Sequence, residues 1–180
     1  MRPAPSRAPS RALAGVVTAV ALASLAMPAC SAHPSAGASP TGFSASDVAN
    51  PSLDLPQGTV TVVRSGSPEL RLHVQIAETD QARATGLMGV KKMSDQAGMA
   101  FLFGGPTTES FWMKDTLIPL DIAFWDAGGR IVSTFSMVPC TADPCHLYTP
   151  SGEYVGSVEM NAGLVAAKGV KVGDTVHLTR

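Results

Sequence analysis

Short stretches in which hydrophobic residues alternate with polar ones dominate the chain between residues 58 and 180. Residues 70–76 alternate strictly, which is the period of a strand with one buried face. Residues 59–63 are all β-branched, and we expect them to pair with 70–76 through a turn at 65–68. The pattern predicts seven or eight short strands, the others being residues 100–103, 111–114, 120–125, 131–137, 154–160 and 175–178.

Two segments break the alternation and are predicted to be short helices. Residues 79–88 have Thr79 as an N-cap, and residues 162–168 lie between Asn161 as a cap and Gly169 as a stop. Many short strands with two small helices are typical of a mainly β domain. The expected fold is therefore an antiparallel β-sandwich or squashed barrel with two short helices.

The amino terminus has the organisation of an export signal. Arg2, Arg7 and Arg11, without any acidic residue, precede an apolar run over residues 12–29. The run is rich in alanine and contains polar residues and a proline, so a retained membrane anchor is the weaker alternative. Residues 1–29 are predicted to be a signal peptide, and the protein is expected outside the cytoplasm, in the cell envelope.

Cys30, directly after the apolar run, indicates a lipid anchor. Ala29-Cys30 resembles the lipobox of bacterial lipoproteins, in which the cysteine becomes acylated, although Met27 and Pro28 depart from the usual pattern. Cleavage after Ala32 is the alternative, and it would release a freely secreted protein. We favour acylation of Cys30, which would attach the chain to a membrane. Residues 30–57, mostly Ser, Ala, Pro and Gly, are predicted to be a disordered tether, and residues 58–180 a single domain.

Charge and motif content exclude several classes of function. The chain has 180 residues with 13 basic and 14 acidic side chains. The first 46 residues contain three arginines and no acidic residue, so the rest of the chain has more acidic than basic side chains. A mildly acidic domain of this kind is unsuited to bind nucleic acid. Neither a phosphate-binding glycine loop nor a Gly-x-Ser-x-Gly elbow occurs in the sequence. Nucleotide chemistry and serine hydrolysis are therefore not supported.

Several motifs along the folded part resemble one bacterial and archaeal family. In order, they are Gly86-Leu87-Met88, Gly98-Met99-Ala100-Phe101, Phe111-Trp112-Met113-Lys114-Asp115-Thr116, Pro119-Leu120-Asp121, the loop from Cys140 to Cys145, and Val158-Glu159-Met160-Asn161-Ala162-Gly163. The chain is similar in these respects to the domain of unknown function 192 family. The resemblance implies a compact, mainly β domain that often follows an export signal, and it implies no established activity, substrate or cofactor.

Cys140 and Cys145 are the two cysteines of the predicted domain, and an oxidising compartment favours a disulfide between them. A redox-active pair is a weaker alternative, because redox motifs usually have two residues between the cysteines. Metal ligation with His146 is a further alternative, although a closed zinc site needs a fourth ligand.

Lys114, Asp121 and Glu159 interrupt hydrophobic stretches of the predicted strands. Charged groups are costly to bury unless they are paired, so we hypothesise that Lys114 pairs with Asp121 or Glu159. The alternative is that these side chains lie on a solvated face of the sheet.

Two functional hypotheses follow. In the first, the protein is a binding or accessory module whose surface contains Trp112, Lys114, Asp121, Glu159 and Tyr148 of the disulfide loop. Its partner, a small molecule or a protein, is not identified by the sequence. In the second, an extracytoplasmic enzyme uses Asp121, Glu159 and Lys114 for acid and base chemistry. No cofactor or metal is predicted, since the scattered methionines of the domain are more typical of core filling than of copper binding.

Overall fold

Seven strands and two short helices follow one another in the part of the chain that the computed structural model describes, residues 49–64 and 69–180. They are β1 (Gln57–Val63), β2 (Leu70–Ala77), α1 (Asp80–Thr85), β3 (Ala97–Thr107), β4 (Leu120–Trp125), β5 (Ile131–Met137), β6 (Tyr154–Asn161), α2 (Leu164–Lys168) and β7 (Thr175–Thr179). The mainly β class with two short helices is therefore confirmed. None of the helices in these two ranges is long and apolar enough to cross a membrane.

The strands form one mixed sheet in the order β5-β4-β6-β3-β2-β1-β7. β1 and β2 pair antiparallel as predicted, whereas the turn expected at residues 65–68 lies outside the described residues. β2 and β3 are parallel, and every other neighbouring pair is antiparallel. The parallel pair arises because α1 and the loop after it carry the chain back before β3 begins.

The two edge strands of this sheet meet at one end, so the sheet curls into a half-barrel. The Ile131 amide at the start of β5 donates to the Asp174 carbonyl at 2.8 Å, and the Val176 amide of β7 donates to the Gly129 carbonyl at 2.7 Å. Residues 49–64 and 69–180 contain one sheet only, so the sandwich alternative is not confirmed, and the predicted antiparallel pairing holds for all but one strand pair.

Each face of the sheet buries its own hydrophobic cluster. Val158, paired with Ala100 and Ala123, points to the face that α2 covers through Leu164 and Val165. The opposite face carries the larger aromatic side chains and is covered by α1 and by irregular segments. Its members include Ala49, Ala82, Met99, Phe101, Met113, Ile122, Phe124, Tyr148 and Tyr154. The candidate functional site lies on this aromatic face.

The helices begin and end as local sequence dictates, with two differences. The Thr79 hydroxyl accepts from the Ala82 amide at 3.2 Å, which confirms the predicted N-cap. α1 ends at Thr85, three residues before the predicted end at residue 88, and its C-cap Gly86 has a φ of 46° that disfavours side-chain-bearing residues. Asn161 does not cap α2 because it belongs to β6, and its amide instead donates to the Met93 carbonyl at 2.8 Å.

Residues 111–114 do not form the predicted strand. Phe111 makes one isolated antiparallel bridge to Tyr148, and the chain then turns at Asp115, whose φ is 52°. The segment is apolar because the Phe111 ring packs edge-on to Phe101 and Phe124, with centroid distances of 5.2 and 5.3 Å. Its hydrophobicity therefore reflects an aromatic cluster and not a strand with two buried faces.

The end of the predicted tether is packed against the domain. Signal peptide residues 1–29, Cys30 and the tether up to residue 48 lie outside the described residues. Ala49 and Asn50 are buried, and the Asn50 amide group donates to the Gly86 carbonyl at 2.8 Å. Gln75 also hydrogen-bonds to Asn50. Hydrophobic patterning misses this contact because polar groups make it.

Candidate functional site

The aromatic face of the sheet opens into a cleft between α1, the end of β3 and the segment that carries Trp112. An outer groove of about 470 Å³ is lined by Asp80, Arg83, Ala84, Phe103, Glu109, Ser110, Phe111 and Trp112. An inner cavity of about 40 Å³ adjoins it, because Arg83, Ala84, Phe111 and Trp112 line both. Lys114, Thr116 and Glu159 line the inner cavity only. We call the groove and the cavity together the Trp112 cleft.

Glu159 lies at the inner end of this cleft. It pairs with Met99 and Ile122 in the sheet, so its side chain points to the aromatic face, and the residue is only 5% exposed. Within residues 49–64 and 69–180 its carboxyl group forms no hydrogen bond or ion pair. Burial raises the pKa of Glu159 to about 8, because the charged form loses its hydration. The group is therefore largely neutral at pH 7 and can both donate and accept a hydrogen bond.

Trp112 lies at the entrance, where the indole is accessible to a ligand. It is 52% exposed, although the neighbouring Phe111 packs into the aromatic cluster. The Arg83 guanidinium lies over the Phe103 ring at 5.0 Å and donates to the Leu102 carbonyl at 2.8 Å. These contacts fix the guanidinium against the groove wall. The entrance thus combines a free aromatic surface with an ordered cation.

Lys114 pairs with neither Asp121 nor Glu159, which corrects the hypothesis drawn from the sequence. Its ammonium group contacts both carboxylate oxygens of Asp143, at 3.0 and 2.8 Å. The hydrogen bond and the charge of Asp143 raise the pKa of Lys114. The partner is missed in the sequence because Asp143 lies in a loop that comes next to Lys114 only in the folded chain.

The loop that carries Asp143 is closed by a disulfide between Cys140 and Cys145, as predicted. Both sulfur atoms are used in this bond, so the group formed by Cys140, Asp143 and Cys145 does not offer thiolate ligands to a metal. His146 packs edge-on to the Tyr148 ring, with centroids 4.6 Å apart. Lys114, Asp143 and the disulfide therefore form a structural support beside the cleft.

Asp121 lies on the other face of the sheet. It pairs with Met160, one residue after Glu159, and alternation places the two carboxyl groups on opposite sides. Asp121 is fully buried, and it accepts from the Ser136 hydroxyl at 2.7 Å and from the Val165 amide of α2 at 2.8 Å. Its carboxylate holds α2 on the sheet, so Asp121, Glu159 and Lys114 do not form one group.

Tyr148 is also a supporting residue. It is 8% exposed, and its hydroxyl accepts from the Val138 amide at 3.0 Å. Of the five residues predicted for the binding surface, Trp112, Lys114 and Glu159 line the cleft, whereas Asp121 and Tyr148 are not among its lining residues.

Sequence reasoning missed the α1 side of the cleft. Arg83, Phe103 and Glu109 line it, and they come from a helix, a strand and a loop. Arg83 lies in the predicted helix 79–88, but nothing in the local pattern shows that this helix faces the end of β3. The contact between them is a property of the tertiary structure.

Comparison with known proteins supports the family resemblance. The sequence model of the DUF192 family, described as uncharacterized, matches residues 60–178. A solved structure from Novosphingobium aromaticivorans DSM 12444, of a protein of unknown function, is 30% identical with a TM-score of 0.66 and covers 76% of this chain and 98% of its own. A second, from Sinorhizobium meliloti 1021 and named as a candidate transcription regulator, is 28% identical with a TM-score of 0.65 and covers 70% of this chain and 96% of its own. No curated protein matches.

Proposed function

This chain belongs to the uncharacterized DUF192 family, and we propose that it is an exported, lipid-anchored binding module that holds a small neutral ligand in the Trp112 cleft. The observation that carries the proposal is the carboxyl group of Glu159, which belongs to a residue only 5% exposed, has no protein partner in the described residues and faces a cavity. A hydrogen bond from a ligand to this carboxyl group would contribute about 0.5 to 1.5 kcal/mol to binding.

The groups around the cleft indicate the chemistry of the ligand. Trp112 offers an exposed ring, and Glu159 offers a hydrogen bond from a neutral carboxyl group. Arg83 contributes a cation to the groove, whereas Asp80 and Glu109 contribute anions. Because charges of both signs line the groove, a ligand with several hydroxyl groups and no net charge fits better than an ion. Saccharides have this chemistry, since their C–H faces can lie on an aromatic ring while their hydroxyls bond to polar groups.

The enzyme alternative required Asp121, Glu159 and Lys114 to converge, and they do not. Asp121 and Glu159 are on opposite faces of the sheet, and the Lys114 ammonium is bound to Asp143. Two titrating groups that converge on one reacting atom are what general acid and base catalysis needs. Of the three groups on which the enzyme hypothesis depended, Glu159 alone lies in the cleft without a protein partner in the described residues, so binding is the function that we favour.

Membrane attachment through Cys30 is part of the proposal and has a separate test. Residue 30 lies outside the described residues, so the support is the apolar run before Cys30 and the small residue that precedes it. Mass spectrometry of the mature protein from membranes should show an amino-terminal Cys30 that carries acyl chains. A mature amino terminus at His33 would show that the protein is freely secreted instead.

The binding proposal can be tested by nuclear magnetic resonance on the full-length protein labelled with ¹⁵N. The chain has two tryptophans, Trp112 in the cleft and Trp125, which is 6% exposed, so two indole N–H signals report on different places. Glucose, N-acetylglucosamine and their β-1,4-linked disaccharides are the probes. We expect at least one of them to shift the Trp112 signal in a saturable way and to leave the Trp125 signal unchanged.

Variants connect that shift to the cleft. Trp112→Ala should weaken binding at least tenfold, as read from backbone amide signals of α1, because the stacking surface is lost. Leu117→Ala is the matched control, since Leu117 is 54% exposed and is not among the residues that line the cleft. If all four sugars leave the Trp112 signal in place, or if Trp112→Ala binds as well as the wild type, the proposal fails.

A further inference from the structure

Another cavity in the described part of the chain lies beside the Trp112 cleft and has a different chemistry. It has a volume of about 840 Å³, and one wall is the loop from Met88 to Ser94 while the other is formed by residues 50–52. Met88 lines both this cavity and the inner cavity of the cleft. We call the larger cavity the lysine groove, after Lys91 and Lys92 in its wall. Its volume is in the range of sites that bind small molecules.

The apolar part of the lysine groove includes two methionines, whose side chains can adapt to the shape of a ligand. Met88, Val90 and Met93 belong to one wall, and Pro51 belongs to the other. Methionine is unbranched and polarizable, so it can follow an irregular apolar surface. The two methionines therefore offer an adaptable apolar surface to a flexible hydrocarbon chain.

The polar groups of the groove are either already satisfied or positively charged. The Asn50 side chain donates to the Gly86 carbonyl at 2.8 Å and accepts from the amide and hydroxyl of Ser52 at 3.1 and 2.6 Å. Lys91 and Lys92 are exposed, and in residues 49–64 and 69–180 neither has an ion pair or a hydrogen bond. None of the described lining residues is acidic. The groups that remain for a ligand are thus two cations.

The wall that carries the lysines is held in place by the rest of the domain. The Gly89 amide donates to the Asp115 carbonyl at 2.9 Å, and the Asn161 amide group donates to the Met93 carbonyl at 2.8 Å. A loop that is fixed at both ends loses little conformational entropy when a ligand binds. The groove is therefore ready to bind without rearrangement of its backbone.

We propose that the lysine groove is a second binding site, separate from the Trp112 cleft, and that it takes an aliphatic carboxylate such as a medium-chain or long-chain fatty acid. The carboxylate head pairs with Lys91 and Lys92, and the hydrocarbon chain lies along Met88, Val90 and Met93. A metal cation does not fit, because it would need oxygen, nitrogen or thiolate ligands in place of two ammonium groups. Nucleic acid does not fit either, since two cations neutralise too few phosphates for useful affinity.

Isothermal titration of the full-length protein with decanoate, decanol and acetate tests the proposal at neutral pH and low salt. Decanoate should bind with one saturable site, whereas decanol lacks the charge and acetate lacks the chain. We expect each of them to bind at least tenfold more weakly than decanoate, since both parts of the site contribute. Comparable binding of decanol and decanoate would show a purely apolar groove and would overturn the assignment of the lysines.

Variants locate the site. The double variant Lys91→Gln and Lys92→Gln should weaken decanoate about tenfold and leave decanol unchanged, because only the ion pairs are lost. Lys168→Gln with Lys171→Gln is the matched control, since it removes two lysines that do not line this groove. Met93→Ser should weaken decanoate and decanol alike.

The affinity for decanoate distinguishes the lysine groove from the Trp112 cleft. Trp112→Ala should leave decanoate affinity unchanged, because Trp112 does not line the lysine groove. If the saccharides fail to bind, the proposal for the lysine groove can therefore still be tested by itself. Absence of saturable decanoate binding, in a protein whose melting temperature and circular dichroism are those of the wild type, refutes the inference. An unchanged decanoate affinity in the double glutamine variant refutes it as well.

Discussion

Replacing Glu159 by Gln should change how the stability of the protein depends on pH. In the folded protein the pKa of Glu159 is raised to about 8 by burial, against 4.5 for an exposed glutamate. Between these two values the folded state keeps the proton and the unfolded state releases it. The folded state therefore binds more protons in this window, and its stability falls as the pH rises.

The size of the effect follows from the width of the window. One pKa unit corresponds to about 1.4 kcal/mol, so the wild type should lose about 3 kcal/mol between pH 4.5 and pH 7 through this group. Glutamine has nearly the same shape and does not titrate, so Glu159→Gln should not show this loss. Below about pH 3.5 the difference between the two proteins should be constant, because Glu159 is then protonated in both states.

Urea unfolding of both proteins at half-unit steps between pH 4 and pH 8 measures the difference. The expected slope of the difference approaches about 1.4 kcal/mol per pH unit in favour of the variant between about pH 5.5 and pH 7, and it decreases towards pH 8 as the folded state begins to release the proton. Glu153→Gln is the matched control, because its carboxyl is exposed and does not lose its hydration on folding. Parallel stability profiles for wild type and Glu159→Gln would falsify the claim that the carboxyl is buried without a partner.

Two further predictions concern stability. Replacing Cys140 and Cys145 by Ala should lower the free energy of unfolding by about 2 kcal/mol, because the closed loop of six residues restricts the unfolded chain. Urea unfolding with and without reductant measures this loss, and only the wild type should respond to reductant. Gly156→Ala should cost about 2 kcal/mol or more, because a Cβ there would lie 2.4 Å from the Trp125 ring. Thermal unfolding measures this cost, and Gly104→Ala, where a Cβ meets nothing within 4 Å, should change the melting temperature little; equal losses in the two variants would contradict the packing argument.

The fold class could be predicted from the sequence because most elements are specified locally. The alternation in residues 70–76 and the β-branched run in 59–63 determined β2 and β1, and a single hydroxyl at Thr79 determined where α1 begins. The local pattern also predicted a strand over residues 111–114, which the structure does not contain. Hydrophobicity without alternation shows burial, and it does not distinguish a strand from an aromatic side chain inserted in a core.

The candidate site could be predicted only in part. Trp112, Lys114 and Glu159 were predicted because charged residues within apolar stretches, and polar and aromatic residues at the ends of predicted strands, can be recognised in the sequence. The role of Lys114 was not predictable, because its partner Asp143 is 29 residues away and is brought close by the disulfide loop. Both cavities share this origin, since their walls come from segments that are distant along the chain.

The sequence by itself determined which residues alternate, where the first helix begins, which cysteines can pair and to which family the chain belongs. Those properties depend on neighbours within a few positions or on motifs in a fixed order. Only the tertiary structure decided that Asp121 and Glu159, both acidic residues of neighbouring strands, lie on opposite faces of the sheet. Strand register fixes the face to which a side chain points, and register is set by long-range pairing and packing, which no local pattern contains.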